Sequence, residues 1–237
     1  MISKNNIKYI QSLHLKKRRD EENIFVAEGP KIVSELLNST LNIRQIYATE
    51  ANWLQSYKGS LKVEEISAAE LKQISSLETP NQVLALVEKK PVNSIIPGLA
   101  VMLDGIQDPG NLGTIIRIAD WFGIEHIIAS KDTADEYNPK VIQATMGSLF
   151  RVNITYTDLD VFLKDTKHKV YAAMLNGNNI QQHSTIKEGI ILIGNESKGI
   201  REYLHPYISE KITIPAHGKA ESLNAGVALG IILSHLI

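Results

Sequence analysis

Short runs of β-branched and aromatic residues, IFVAEG, IRQIYAT, KVEEIS and QVLALVEK, punctuate the chain between Ile24 and Lys89. Helix-like segments separate them, among them Pro30 to Asn38 and Ala68 to Ser75. Strand and helix bury different faces of the chain, with periods of 2 and 3.6. The βαβαβαβ order therefore predicts a small α/β layer domain. The stretch KKPVNSIIPG, residues 89–98, has two prolines and a polar centre and reads as a linker. The pattern then restarts with longer, more apolar runs: LAVML (99–103), HIIAS (126–130), RVNITY (151–156), KVYAAML (169–175), GIILIG (189–194) and KITIP (211–215). Runs this apolar suit strands buried on both faces, so a mostly parallel sheet covered by helices is expected. The domain expectation is 1–90, a linker at 91–98, and 99–237.

The stretch from Ile212 onward organises the rest. A β-branched run stops at Pro215, a small polar loop follows, and Ser222 opens an apolar segment. This predicts a strand, a loop and a buried helix that starts at a Ser N-cap. Ala225, Gly226, Ala228 and Gly230 are small, and Gly in a helix costs about 1 kcal/mol relative to Ala. Two such glycines imply close approach of another backbone, from the same chain or from a second copy.

Composition narrows the classes. The chain has 237 residues, 43% hydrophobic and 22% charged, as expected for a soluble protein with two cores. A formal net charge of -1 means that any nucleic-acid binding must rest on local patches. The absence of cysteine excludes disulfides, thiolate metal sites and a Cys nucleophile, and fits a reducing compartment. The seven histidines form no HExxH pattern, so no metal site is expected. No apolar run reaches the roughly 20 residues of a membrane span, and the cytosol is the expected location. Residues 1–22 carry Lys4, Lys8, Lys16, Lys17, Arg18 and Arg19 against Asp20, Glu21 and Glu22. The KKRR run reads as a solvated helix surface or as a contact for RNA phosphates. Glu28, before Gly29 and Pro30, reads as a functional carboxylate or as a helix cap, and the cap is the favoured reading.

In open parallel sheets ligands collect beyond the carboxyl ends of strands, and three loops there carry candidate chemistry. In DGIQDPGNLGTIIRIADWFGI, Asn111 sits near a helix N-cap and Arg117 lies one to two turns further on. The pair is expected to address related regions of one cleft. In LIGNESKGI, Gly194 and Gly199 have the spacing of a phosphate loop, but Ile200 and Arg201 stand where Lys and Ser/Thr are required. The first loop offers only a GxxG, which does not support a dinucleotide fold. In PAHGKAESLN, Ser222 and Asn224 are short polar groups at a helix start, where N–H donors favour an anion or polar ligand. No GxSxG elbow marks a Ser nucleophile.

Together, NLGTIIRIA, LIGNESKGI and IPAHGKAESLNAGVALGI resemble, in order, the three motifs of the SpoU (TrmH-like) branch of the SPOUT RNA methyltransferases. The resemblance covers roughly residues 98–237. The segment before it, through FVAEGPKIVSELL, is similar to the ribosomal-protein-like substrate-binding domain often fused in front. What this implies is a parallel sheet with its C-terminal segment threaded as a deep trefoil knot, and methyl transfer from S-adenosylmethionine to a ribose 2'-hydroxyl of RNA, without metal. Carried-over catalytic positions are Asn111, Arg117, Glu196, Ser222 and Asn224. Carried-over cofactor positions are Met174, Gly194, Ile214 and Leu223. The family also implies a homodimer in which Arg117 reaches the other subunit's cofactor pocket. The fused domain favours ribosomal over transfer RNA. A catalytically silent RNA-binding or ribosome-assembly factor on the same fold is the alternative.

Overall fold

A computed structural model describes residues 1–49, 52–91 and 98–237, so most of the expected linker lies outside the described residues. Two compact units form, one from Met1–Pro91 with Tyr137–Phe150, the other from Val92–Glu136 with Arg151–Ile237.

The first unit holds a four-stranded sheet of β1 (Ile24–Glu28), β2 (Ile43–Ala48), β3 (Val63–Glu65) and β4 (Val83–Glu88) in the order β1-β4-β2-β3. β4 runs antiparallel to both β1 and β2, while β3 is parallel to β2. Helices α1 (Lys4–Ser12), α2 (Lys16–Glu22), α3 (Pro30–Leu37), α4 (Asn52–Ser56) and α5 (Ala68–Ile74) connect and flank these strands. The apolar β4 lies between two neighbours, and Val83 to Val87 are all buried. Ser67 and Glu70 cap α5 reciprocally, each side chain bonding the other's backbone N–H.

The KKRR run lies on α2, where Lys16 pairs with Asp20 at 2.7 Å and Arg18 with Glu21 at 2.6 Å. Arg19 is buried and donates to the carbonyls of Leu13 and His14. The sequence places acids three and four residues beyond the cations, the spacing at which helix side chains meet. The solvated-surface reading therefore fits Lys16 to Arg18, and Arg19 has a structural task. Glu28 does not cap α3. It is 4% exposed, and its carboxylate accepts from the Ser75 and Ser76 hydroxyls and from the Ser76 N–H, tying β1 to the end of α5. The cap reading fails because the side chain points into the core, where a carboxylate must find donors. Phe25 in this core packs at a tilt against Tyr137 with ring centroids 4.8 Å apart, and Gln143, on α7 (Pro139–Thr145), donates to the Glu28 carbonyl.

The second unit is a six-stranded, fully parallel sheet: β5 (Leu99–Asp104), β6 (His126–Ser130), β7 (Asn153–Thr157), β8 (Val170–Asn179), β9 (Gly189–Gly194) and β10 (Glu210–Thr213). Its order is β10-β8-β9-β5-β6-β7. On one face Ala100, Met102, Ile128, Ile190 and Leu192 pack against Leu159 and Leu163 of α8 (Leu159–Asp165) and against Leu204. α9 (Ala225–Leu236) contacts β9 and also packs on α6 (Pro109–Trp121). β8 outruns the expected 169–175. Its partner β10 pairs first with Tyr171 and Ala172, then, after a register shift, with Asn178 and Asn179.

The final helix starts at Ala225 and its N-cap is Asn224, not Ser222, which lies in the loop before it. Its small residues meet α6. A Cβ on Gly226 would lie 2.8 Å from Thr114 Cγ2, and one on Gly230 would lie 3.6 Å from Ile118 Cδ1. What these glycines meet within the chain is side chains of α6, tightly at Gly226 and at ordinary contact distance at Gly230, not another backbone.

Candidate active site

Strand order reverses between β5 and β9, and the crevice beyond their carboxyl ends is where an open α/β sheet offers room for a ligand. After β5 the chain turns into α6, whose N-cap is Asp108: its Oδ1 accepts from the Asn111 N–H at 2.8 Å. Because Asp108 caps, the Asn111 side chain is free for other work. After β9 the chain folds into a tight hairpin, Asn195 and Gly199 exchanging backbone bonds at 3.0 and 2.9 Å. Gly194 permits this closure, since a Cβ there would lie within 2.6 Å of Gly199 and Ile200 backbone atoms. The glycine spacing that suggested a phosphate loop is therefore a hairpin requirement.

The three loops meet in one chain of hydrogen bonds. Asn224 Oδ1 accepts from the Gly226 and Val227 N–H groups, and its Nδ2 donates to Asn111 Oδ1 at 2.6 Å. Asn111 Nδ2 in turn donates to Glu196 Oε1 at 2.6 Å. Three of the five candidate catalytic residues, one from each motif, are thus in contact although they lie up to 113 positions apart. Ser222 is exposed and makes no side-chain hydrogen bond among the described residues. Arg117 is exposed as well, with no hydrogen bond or ion pair among the described residues. It does not share the cleft face of Asn111. Six residues at about 100° each leave the two side chains roughly 120° apart around α6.

Of the expected cofactor positions, Gly194 ends β9, Ile214 directly follows β10, and Met174 lies on β8; all three are half-buried. Met174 packs against the core cluster that includes Ile200. Leu223 precedes Asn224 and is 47% exposed, and Leu175, after Met174, is 75% exposed while its carbonyl accepts from Thr213 Oγ1.

A second cluster, which sequence reasoning missed, backs the hairpin. The Arg201 N–H donates to Asp104 Oδ2 at 2.8 Å, and its Nε lies 3.0 Å from Oδ1 as an ion pair without hydrogen-bond alignment. Its Nη2 donates to both Asp132 oxygens at 2.7 and 2.6 Å. Burial pushes the Asp104 carboxyl above its ordinary value, opposed by Arg201, whose hydrogen bonds hold Asp132 below its own. No pattern could have flagged Asp104 and Arg201, which pair across 97 positions. No group of His, Asp and Glu among the described residues could hold a metal ion.

A model of the SpoU rRNA Methylase family matches residues 98–234, and one of the MRM3-like substrate binding domain matches residues 4–85. A Bacillus subtilis protein named 23S rRNA (guanosine(2553)-2'-O)-methyltransferase RlmP is 30% identical over 97% of this chain and 95% of its own length. Among solved structures, a Porphyromonas gingivalis protein placed in the TrmH family of RNA methyltransferases superposes with a TM-score of 0.90 at 35% identity, covering 100% of this chain and 98% of that one. An AdoMet-bound rRNA methyltransferase from Sinorhizobium meliloti gives 0.87 at 30% identity, covering 100% and 96%.

Proposed function

We propose, since the chain belongs to the SpoU rRNA methylase family, that it methylates a ribose 2'-hydroxyl of ribosomal RNA with S-adenosylmethionine as donor. The observation that carries this reading is the Asn224–Asn111–Glu196 hydrogen-bond chain, which joins all three motifs at the switch point of the sheet. The cofactor's sulfonium supplies an already activated methyl group. What remains for the protein is to align a weak nucleophile and to handle one proton.

The residues at the ends of β8, β9 and β10 fit such a cofactor. Leu175 and Leu223 expose apolar side chains that the adenine ring would cover, beside half-buried Met174, Gly194 and Ile214. Glu196 uses one oxygen to accept from Asn111, and its other oxygen stays open to the substrate hydroxyl. Ser222, exposed in the neighbouring loop, supplies a further short polar contact. Arg117 is no ordinary base, because its guanidinium is a planar fork of N–H donors with no acceptor. Its fork grips the RNA phosphate or polarises the hydroxyl, and the proton leaves through Glu196 or water.

Arg117 faces away from its own chain's cleft, which supports a homodimer in which it completes the partner's site. On α6 and α9, Trp121 is 85% exposed and Val227 49% exposed, apolar area that a second copy would cover. The trefoil knot also belongs to this reading. It draws its support from the family. The name of the Bacillus subtilis relative supports ribosomal RNA over transfer RNA, and a cytosolic setting belongs to the same reading. The 1–90 segment acts as the RNA-binding domain, with 91–98 joining it to the methyltransferase domain.

The test is tritium transfer from labelled S-adenosylmethionine into bulk cellular RNA by wild type and Arg117→Ala, followed by nuclease digestion. Label on ribose in ribosomal RNA, lost in the variant, supports the reading. Cofactor binding without transfer into any RNA would replace it with the assembly-factor alternative.

A further inference from the structure

The hairpin that carries Glu196 is fastened at one end to the loop after β5 and at the other to the last residue of β5. At its start Asn195 Nδ2 donates to the Gly105 carbonyl at 2.7 Å. At its end Arg201 binds Asp104, which is fully buried, through both backbone and side chain. The loop is itself tied to the end of β6, where the Gly105 N–H donates to Ser130 Oγ at 2.8 Å. Arg201 passes directly over Gly105, where a Cβ would lie 2.8 Å from its Nη2. One guanidinium thus collects the carboxyl ends of β5 and β9 and, through Asp132, the turn after β6. Asn111 and Glu196 sit on the two elements so joined.

We propose that Arg201 and Asp104 form a latch that sets the Glu196 hairpin against Asn111, making both positioning residues for methyl transfer. The inference rests on the reading above that Glu196 acts in the site. An ion pair with a fully buried carboxylate is a poor source of stability, since desolvation offsets much of its attraction. What such a pair does well is fix geometry. The Arg201 guanidinium reaches two carboxylates at once, Asp132 through Nη2 and Asp104 through Nε, which Lys could not reproduce. A hairpin freed at one end would still form, through the Asn195–Gly199 bonds, but Glu196 would no longer hold its place.

The test measures single-turnover methyl transfer in the full-length chain for Arg201→Met, Glu196→Ala and the double variant. Cofactor affinity and KM for RNA are measured alongside. Arg201→Met is expected to slow transfer about 10- to 100-fold, the effect of a misplacement on the order of 1 Å, with both binding constants nearly unchanged. In the Glu196→Ala background the same change is expected to cost less than about twofold, because the two residues act as one unit. If Arg201→Met slows both backgrounds equally, or acts only through binding, the latch is overturned. Full activity of Glu196→Ala would instead overturn the site reading beneath it. Should Arg201→Met not fold, Asp132→Asn keeps the Asp104 contacts and loosens only the guanidinium. A several-fold slowing that vanishes without Glu196 supports the latch, and a slowing independent of Glu196 refutes it.

Discussion

Replacing Gly226 with alanine sets helix propensity against interhelical space, and space should win. The new Cβ would lie 2.8 Å from Thr114 Cγ2 and 3.3 Å from Thr114 Cβ. Relaxed carbon pairs keep about 3.5–4.0 Å. On propensity alone, alanine in α9 stabilises by roughly 1 kcal/mol. Against that stands overpacking, at about 1–3 kcal/mol for an added methyl in a tight contact. Thr114 offers little relief, because β-branched side chains are stiff at χ1 and rotation moves Cγ2 but not Cβ. α9 must therefore shift by a few tenths of an ångström, and the net effect is a loss of about 1 kcal/mol. Function should suffer more than stability. The Gly226 N–H is one of two donors to Asn224 Oδ1, so the shift passes to Asn111 and Glu196. Methyl transfer is expected to slow by about tenfold. Urea unfolding and single-turnover transfer measure the two effects, and Thr114→Ser, which deletes Cγ2, should restore most of both. An unfolding midpoint at or above wild type with an undiminished rate would refute the packing argument.

Glu28→Ala removes the acceptor for two serine hydroxyls and a partly buried N–H, so the first unit should lose roughly 1–3 kcal/mol, read as faster hydrogen exchange in β1. Unchanged exchange there would show that the carboxylate is dispensable. His183 is raised from its ordinary 6.5, chiefly by its bond to the Ser184 carbonyl and then by Glu210. Glu210 is lowered from 4.5, first by Asn178 and then by His183. The histidine contribution is present below 6.5 and lost as pH rises through its folded value, while that of the glutamate is lost as pH falls below 4.5. His183→Gln should therefore lower Tm more at about pH 5.5 than at about pH 8.5, and an equal effect at both would remove the pair from the account. Asn224→Asp keeps the cap, since Asp is as good an N-cap as Asn, but loses the donor to Asn111. Near-native Tm with transfer slowed at least about tenfold is expected, and wild-type rates would count against the network.

What was legible in the sequence followed from local pattern. The alternation of apolar runs placed the strands to within a few residues, and the continuous hydrophobicity of the later ones predicted a parallel sheet. What escaped depends on tertiary partners. Nothing in QVLALVEK says that it inserts between β1 and β2 and runs antiparallel to both. The cap of α6 fell on Asp108 and that of α9 on Asn224, because several short polar residues near each helix start compete for one position. Arg117 was expected near Asn111 because a spacing of six reads as close to a whole number of helical turns, whereas at about 100° per residue it leaves the two side chains roughly 120° apart. Asp104 read as the first residue of a loop, and only the fold brings Arg201 to it.

The hydrogen-bond chain has a direction, and that direction limits what each motif residue can be. Backbone N–H groups of α9 donate to Asn224 Oδ1, so its amide nitrogen must face outward, to Asn111 Oδ1. That fixes the Asn111 amide in turn, leaving its nitrogen to meet Glu196. Turning either amide over would set donor against donor at one end and acceptor against acceptor at the other. Two asparagines and a terminal acceptor satisfy the order, and an aspartate at either amide position breaks it. The same order explains why one residue per motif suffices to register three loops: each side chain has one end committed to a neighbour before it reaches the next. Glu196, the last member, is the one with an acceptor oxygen left over, and it is therefore at Glu196 that the network can meet a substrate hydroxyl.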